Sequence, residues 1–291
     1  MADSIPLEYA QSLLRLVPIP EEQLRLELAQ LNLPLVLLEH KAVAEARIPV
    51  EDYGRLFIHL VHKLQDTLPG NIADPDDTRS FSAYRMMFQA MLHSKHLGQA
   101  LQRASIYFKR LQSQGETFAL EEDGDTVYCR FIFAENDERS LTSPENFSME
   151  HLHWLPGMTG RILSMAMWHR VCGWFIGSFI DLKGVEMIQA ADGSKDYSEV
   201  FGTPVKFAAG RDAFAFHRRF LTFPVVQSED SLDTMLATYP AELFRISPED
   251  HSLAVRIRNL IGSDFQRPLP GLQEVAERLY MTTPTPVSYT H

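Results

Sequence analysis

Eleven histidines are spread over the 291-residue chain, and three pairs lie close enough to share a bound ion. His59 and His62, and His93 and His96, stand three residues apart, while His151 and His153 stand two apart. On a helix, a three-residue step can put two imidazoles on one metal. A closed site needs further ligands, and no acidic or cysteine side chain is spaced to complete any pair. Close pairs also arise by chance among eleven histidines, so no metal and no cofactor is expected. The chain has no G-x-S-x-G elbow, no Walker loop, no G-x-G-x-x-G turn and no C-x-x-C pair. No catalytic residue is therefore assigned.

A different concentration of chemistry lies mid-chain. Met86, Met87, Met91, Met165 and Met167, with Trp154, Trp168 and Trp174, make this region soft and aromatic. Such residues fill cores, but they also line adaptable pockets in which a few polar groups orient a small guest. Two runs, 81–93 and 161–180, hold the candidates. Arg85, Phe88, Met91 and His93 in the first, and Trp168 and His169 in the second, form the expected ligand-binding set, with Arg161 as a further polar neighbour. Sequence leaves both readings, core and pocket, open. Cys129 and Cys172 lie far apart, lack metal-type spacing and read as reduced thiols.

Hydrophobic period shows which elements must carry these residues. Residues 5–66 read as helices: Leu7, Ala10, Leu13, Leu14 and Val17 share a face, and Pro20 with Glu21 and Glu22 marks a second start. Tyr53, Leu56, Phe57, Leu60, Val61 and Leu64 give a third. An acidic loop follows around 69–78. Helices are expected over 81–93 and then from Leu97, with Ser94 as the cap. The period then falls to two, and "TFALEEDGDTVYCRFIF" reads as a hairpin about Asp123-Gly124. A long core helix over 161–180, a strand in "GVEMIQA" and a second hairpin turning at Gly210 come next. Helices return at 229–244 and 248–261, with a short linker over 262–271. Segregated helices and antiparallel hairpins predict an α+β fold.

Composition bounds the partners. Hydrophobic content of 45% and charged content of 22% fit a globular protein with a substantial core. The 161–180 run is long enough for a membrane, but Arg161, His169 and Arg170 interrupt it, so no membrane partner is expected. A net charge of −11 repels nucleic acid and anionic lipid.

The closing stretch, "GLQEVAERLYMTTPTPVSYTH", begins a helix-turn-helix. Leu272, Val275, Ala276 and Leu279 share one face, and Tyr280, Met281 and Thr282 would form the turn, with Thr282 capping a second helix. Pro286 would then fall at the fourth helical position, at a cost of about 3 kcal/mol or more. No Arg or Lys follows Arg278, so this stretch has little to hold phosphate. The motif is begun and not finished.

The segment "FIGSFIDLKGVEMIQAADGSKDYSEVFGTPVKFAAGRDAFAFHRRFLTFPVV" resembles the N-terminal regulatory domain of one branch of the AraC/XylS transcription regulators, the branch named after arabinose binding. "YSEVFGTPVKF", "RDAFAFHRRFL" and "FPVV" carry the likeness, supported by "SIPLEYAQSLL", "IPVEDYGRLF" and "LGQALQRASIYFKRL". In that family "LQEVAERLYMTTPT" would open the first of two helix-turn-helix units, and the recognition helix would continue as Leu-x-Arg-x-Leu. Here Pro286 to His291 stand instead, and Tyr280 stands where the family often has Gly.

The resemblance implies a ligand-sensing regulatory domain over 1–240, a helical linker over 241–270 and a truncated first helix-turn-helix over 271–291. It implies a bacterial, cytoplasmic regulator, usually an activator and often a homodimer. Such a regulator answers to a small-molecule effector that need not be arabinose, and meets promoter DNA only as the full-length protein. The alternative is a small-molecule-binding or enzymatic α+β domain whose terminal helix is incidental.

Overall fold

Three helices open the chain where apolar residues recur at three- and four-residue steps. They are α1 (Leu7–Leu16), α2 (Glu21–Gln30) and α3 (Val50–Gln65). The α1 stripe of Leu7, Ala10, Leu13 and Leu14 is buried, as are Tyr53, Leu56, Phe57 and Leu60 of α3. Pro20 sits just outside α2, with Glu21 and Glu22 in the first turn at the positive end of the helix dipole. The expectation that 5–66 is wholly helical is corrected at two points. Strands β1 (Ser4–Pro6) and β2 (Arg47–Pro49) pair antiparallel, Ile5 opposite Ile48. Three residues are too few for alternation to register in a sequence.

The computed structural model describes residues 4–17, 19–39, 46–65, 82–111, 117–132, 157–191, 197–244 and 271–278. The expected loop at 69–78, helix at 248–261, linker to 270 and turn at 280–282 lie outside the described residues.

Helices α4 (Ser82–Leu92) and α5 (Leu97–Leu111) form a hairpin. Leu97, Leu101, Ala104 and Phe108 make the buried stripe of α5. The cap is not Ser94, whose hydroxyl oxygen is buried with no hydrogen-bond partner among the described residues. The helix starts at Leu97, so His96 occupies the cap position, and its Nδ1 accepts the Gln99 N–H at 3.2 Å.

The expected first hairpin is formed by β3 (Thr117–Asp123) and β4 (Thr126–Ile132), paired from Asp123–Thr126 to Thr117–Ile132. Gly124 takes the left-handed turn conformation at φ +59°. Helix α6 (Gly157–Ile176) follows, starting and ending earlier than the apolar run suggests. Every residue from Ile162 to Ile180 is buried, which explains the membrane-like composition of a core helix. Among the described residues no helix is long and apolar enough to cross a membrane.

Strand β5 (Leu182–Glu186) leads through the one-turn α7 (Ser198–Phe201) to β6 (Val205–Lys206), which pairs with β5 in parallel. Strand β7 (Asp212–His217) then enters between β4 and β5, antiparallel to both. The sheet order is β3-β4-β7-β5-β6. This corrects the second hairpin: the chain bends near Gly210, but β7 does not fold back on β6. Asp212 to Phe216 are all buried, as befits a central strand covered on both faces rather than an edge.

Helix α8 (Glu229–Ala237) starts with a capping box between Ser228 and Ser231. The helix expected over 229–244 breaks before Pro240, which lacks the N–H that would continue it, and α9 (Ala241–Phe244) resumes beyond. Ala241 and Leu243 are buried, and α9 packs on α3 and α6, so the core continues past residue 240. Helix α10 (Leu272–Arg278) is the last described element. The architecture is α+β: α5 and α6 both pack on the sheet, and α1 and α9 pack on α6.

Candidate ligand-binding site

One face of α6 looks onto the inner face of the sheet. Arg161 reaches Asp212 at the start of β7, and Trp168 lies against Phe118 of β3 at 4.9 Å between ring centroids. His169 lies 5.8 Å from Phe214 of β7, and the Cys172 thiol neighbours that of Cys129 on β4. Steps of seven or eight, then four or three residues, keep these side chains on one helical face. The register agrees: Cys129 pairs with Phe214, and Phe131 with Asp212. Towards the end of α6 the same side reaches α4, where Phe175, one turn beyond Cys172, packs on Phe88 with ring centroids 6.1 Å apart.

His169 is the unusual group in this layer. It is 1% exposed, edge-on to Phe179 at 5.1 Å. Its Nε2 lies 2.7 Å from the carbonyl oxygen of Ile180. A carbonyl only accepts, so Nε2 carries the proton and donates, and Nδ1 presents a lone pair. That Nδ1 is buried with no hydrogen-bond partner among the described residues. Burial lowers the His169 pKa to about 3; the Arg170 charge adds to this, and the bond to Ile180 only partly opposes it. The imidazole is therefore neutral at physiological pH, a fixed acceptor in an apolar wall.

Two further polar features border the layer. Asp212 is 1% exposed, and its Oδ2 accepts from Arg161 at 3.0 Å while its Oδ1 accepts the Ile188 N–H at 2.8 Å. The first bond fastens the start of α6 to β7, and the second ties β7 to the segment that follows β5. Next to Ile188, the Gln189 Oε1 is buried without a hydrogen-bond partner among the described residues. Arg170 donates to the Val200 carbonyl at 3.4 Å and lies over the Phe179 ring, 5.0 Å from its centroid.

The six residues expected from sequence do not converge on one point. Trp168 and His169 face the sheet. Phe88 and Met91 are buried on the α4 side. Arg85 pairs with Asp233 of α8 at the surface, and His93 is exposed. Of the close histidine pairs, His59 bonds Glu27 at 2.7 Å and His96 caps α5. The His62 side chain and both His151 and His153 lie outside the described residues. No group of three potential metal ligands occurs among the described residues. Asp212, Gln189, Phe118 and Phe214 escaped the sequence reading. An acid at an inward step of the apolar run "DAFAFH" was the available signal for Asp212.

The scaffold expected for the helix-turn-helix is described only in part. Within α10, Val275 is buried and Ala276 half-buried. The Leu272 side chain, Leu279, Met281 and Thr282 lie outside the described residues.

The family described as the arabinose-binding domain of AraC transcription regulator, N-terminal, matches residues 27–225. The chain belongs to that family. Among solved structures, the crystal structure of transcriptional regulator CdpR from Pseudomonas aeruginosa is similar at 18% identity, over 91% of this chain and 76% of that one, with a TM-score of 0.36. The family assignment rests on the 27–225 match and not on that loose likeness. A search of curated proteins finds no match.

Proposed function

We propose that this chain senses a small organic effector for a transcription regulator, binding it between α6 and the sheet. The observation that carries this reading is the Nδ1 lone pair of His169, buried and unmet by the described residues. An orphaned buried acceptor costs about 1–3 kcal/mol, which an apolar side chain would avoid. An effector hydroxyl or amide N–H donated to Nδ1 would remove that cost. Trp168, Phe179 and Phe214 would wall the guest, with Phe88 packed on Phe175 further along α6 and Met91 buried in the same helix as Phe88. Arg85 and His93 stay outside this arrangement. In the reading's wider form, the regulator is a cytoplasmic homodimer that activates a promoter when the effector binds, over a sensing domain of residues 1–240 or slightly more.

A thermal-shift screen with a metabolite panel tests the core of it. A ligand specific to the folded state stabilises by about 2.7 kcal/mol at a hundredfold excess over Kd. The strongest hit is then titrated calorimetrically against wild type and His169→Phe. The expected result is at least a tenfold loss of affinity in a variant that still folds. Equal affinity in the two proteins would place the site elsewhere.

A further inference from the structure

The chain contains two cysteines, 43 positions apart, yet the fold brings them together. Cys129 lies on the inner face of β4, opposite Phe214, and is 1% exposed. Cys172 lies on the sheet-facing side of α6 and is fully buried. Both are free thiols: Phe214, the strand partner of Cys129, lies 5.8 Å from His169, and Cys172 follows His169 by three residues on α6, which sets the two thiols against each other. Two cysteines placed independently in a chain this long have little chance of meeting. A strand and a helix with no other covalent connection nearby thus hold adjacent sulfurs across the same layer that contains His169.

We propose that Cys129 and Cys172 are a modification site: a two-electron oxidant of the hydroperoxide class converts the pair to a disulfide that locks α6 onto the sheet. One thiol loses its proton, and its sulfur attacks the hydroperoxide, forming an S–O bond as the O–O bond breaks and water or an alcohol leaves. The second thiol attacks that sulfur, the S–S bond forms, and the displaced hydroxide takes the second thiol's proton and leaves as water. The two sulfurs together give up two electrons, and the hydroperoxide accepts them. Burial holds the Cys129 thiol protonated, with the neighbouring Cys172 acting in the same direction, so Cys129 suits the second, resolving step. Because both sulfurs are buried, oxidation waits on the parting of α6 from the sheet, and its rate reports that motion.

The test treats the native chain with hydrogen peroxide and follows intact mass, thiol titre and tryptic peptides. The expected result is the loss of two hydrogens, a titre falling from two to zero, and a peptide joining Cys129 to Cys172 within one chain. The linked form should also melt at a higher temperature, an increase that dithiothreitol reverses. Cys172→Ala and Cys129→Ala, examined separately so that one misfolding variant does not decide the matter, should each give no internal link. A native titre that stays at two would overturn the proposal. So would oxygen added at separate cysteines without a linked peptide, or a link only between chains.

Discussion

Lowering the pH should destabilise this protein through His169 in a way that a single substitution removes. In the unfolded chain this imidazole titrates near 6.5; in the fold, burial foremost and the Arg170 charge next bring it to about 3. The folded value lies below the unfolded one, so on acidification the unfolded state takes up the proton first. The stability tied to neutral His169 is therefore fully present above pH 6.5 and drains away as pH falls towards 3. Between about pH 7.5 and about pH 5 the loss is about 2 kcal/mol, and the whole gap amounts to about 5 kcal/mol. Urea unfolding at the two pH values measures it in wild type and in His169→Phe. Groups that titrate alike in both proteins cancel in the difference, so wild type should lose about 2 kcal/mol more than the variant over this range. Equal losses would mean that His169 titrates as an exposed imidazole, and the reasoning from its burial would fail.

Three other outcomes follow from the same geometry. Asp212→Ala removes the buried partner of Arg161 and should lower stability by about 3 kcal/mol, read by urea unfolding at neutral pH; a loss near zero would contradict the tie between α6 and β7. Hydrogen bonds and charge from His59 and Lys63 outweigh burial and hold the Glu27 carboxyl below its ordinary 4.5. Its contribution is present above that value and lost as pH falls through the lowered one, so Glu27→Gln should flatten the acid limb of the stability curve. Trp168→Leu forfeits ring contacts with Phe108 and Phe118 and should weaken the thermal-shift hit more than it lowers the unliganded melting temperature. The reverse order of effects would make Trp168 core alone.

The fold was legible where a pattern runs long. The stripes of α1, α3 and α5 repeat over three or four turns, and Asp123-Gly124 names its own hairpin. Pairing beyond neighbours was not legible, because alternation in "DAFAFH" announces a strand without saying which strands flank it. The second hairpin failed for that reason, and β1 and β2 were missed because each has three residues. At the candidate site, Trp168 and His169 stood out as chemistry inside an apolar run. Phe118, Phe214 and Asp212 come from strands distant in sequence, and only the sheet order sets them opposite α6. Arg85 and His93 sat in the right helix and its following turn, but helical phase and end position put them outside. The Cys129–Cys172 contact likewise depends on α6 crossing β4, which spacing cannot show.

Nitrogen NMR of histidine-labelled protein tests the central claim most directly, with and without the strongest hit from the metabolite panel. In the unliganded protein at neutral pH, His169 should be neutral with its proton on Nε2, as its bond to Ile180 requires. At saturation the Nδ1 resonance should move in the direction of hydrogen-bond acceptance while the Nε2 proton stays in place. An imidazolium in the unliganded protein, or an Nδ1 resonance unmoved by a ligand that demonstrably binds, would contradict the account.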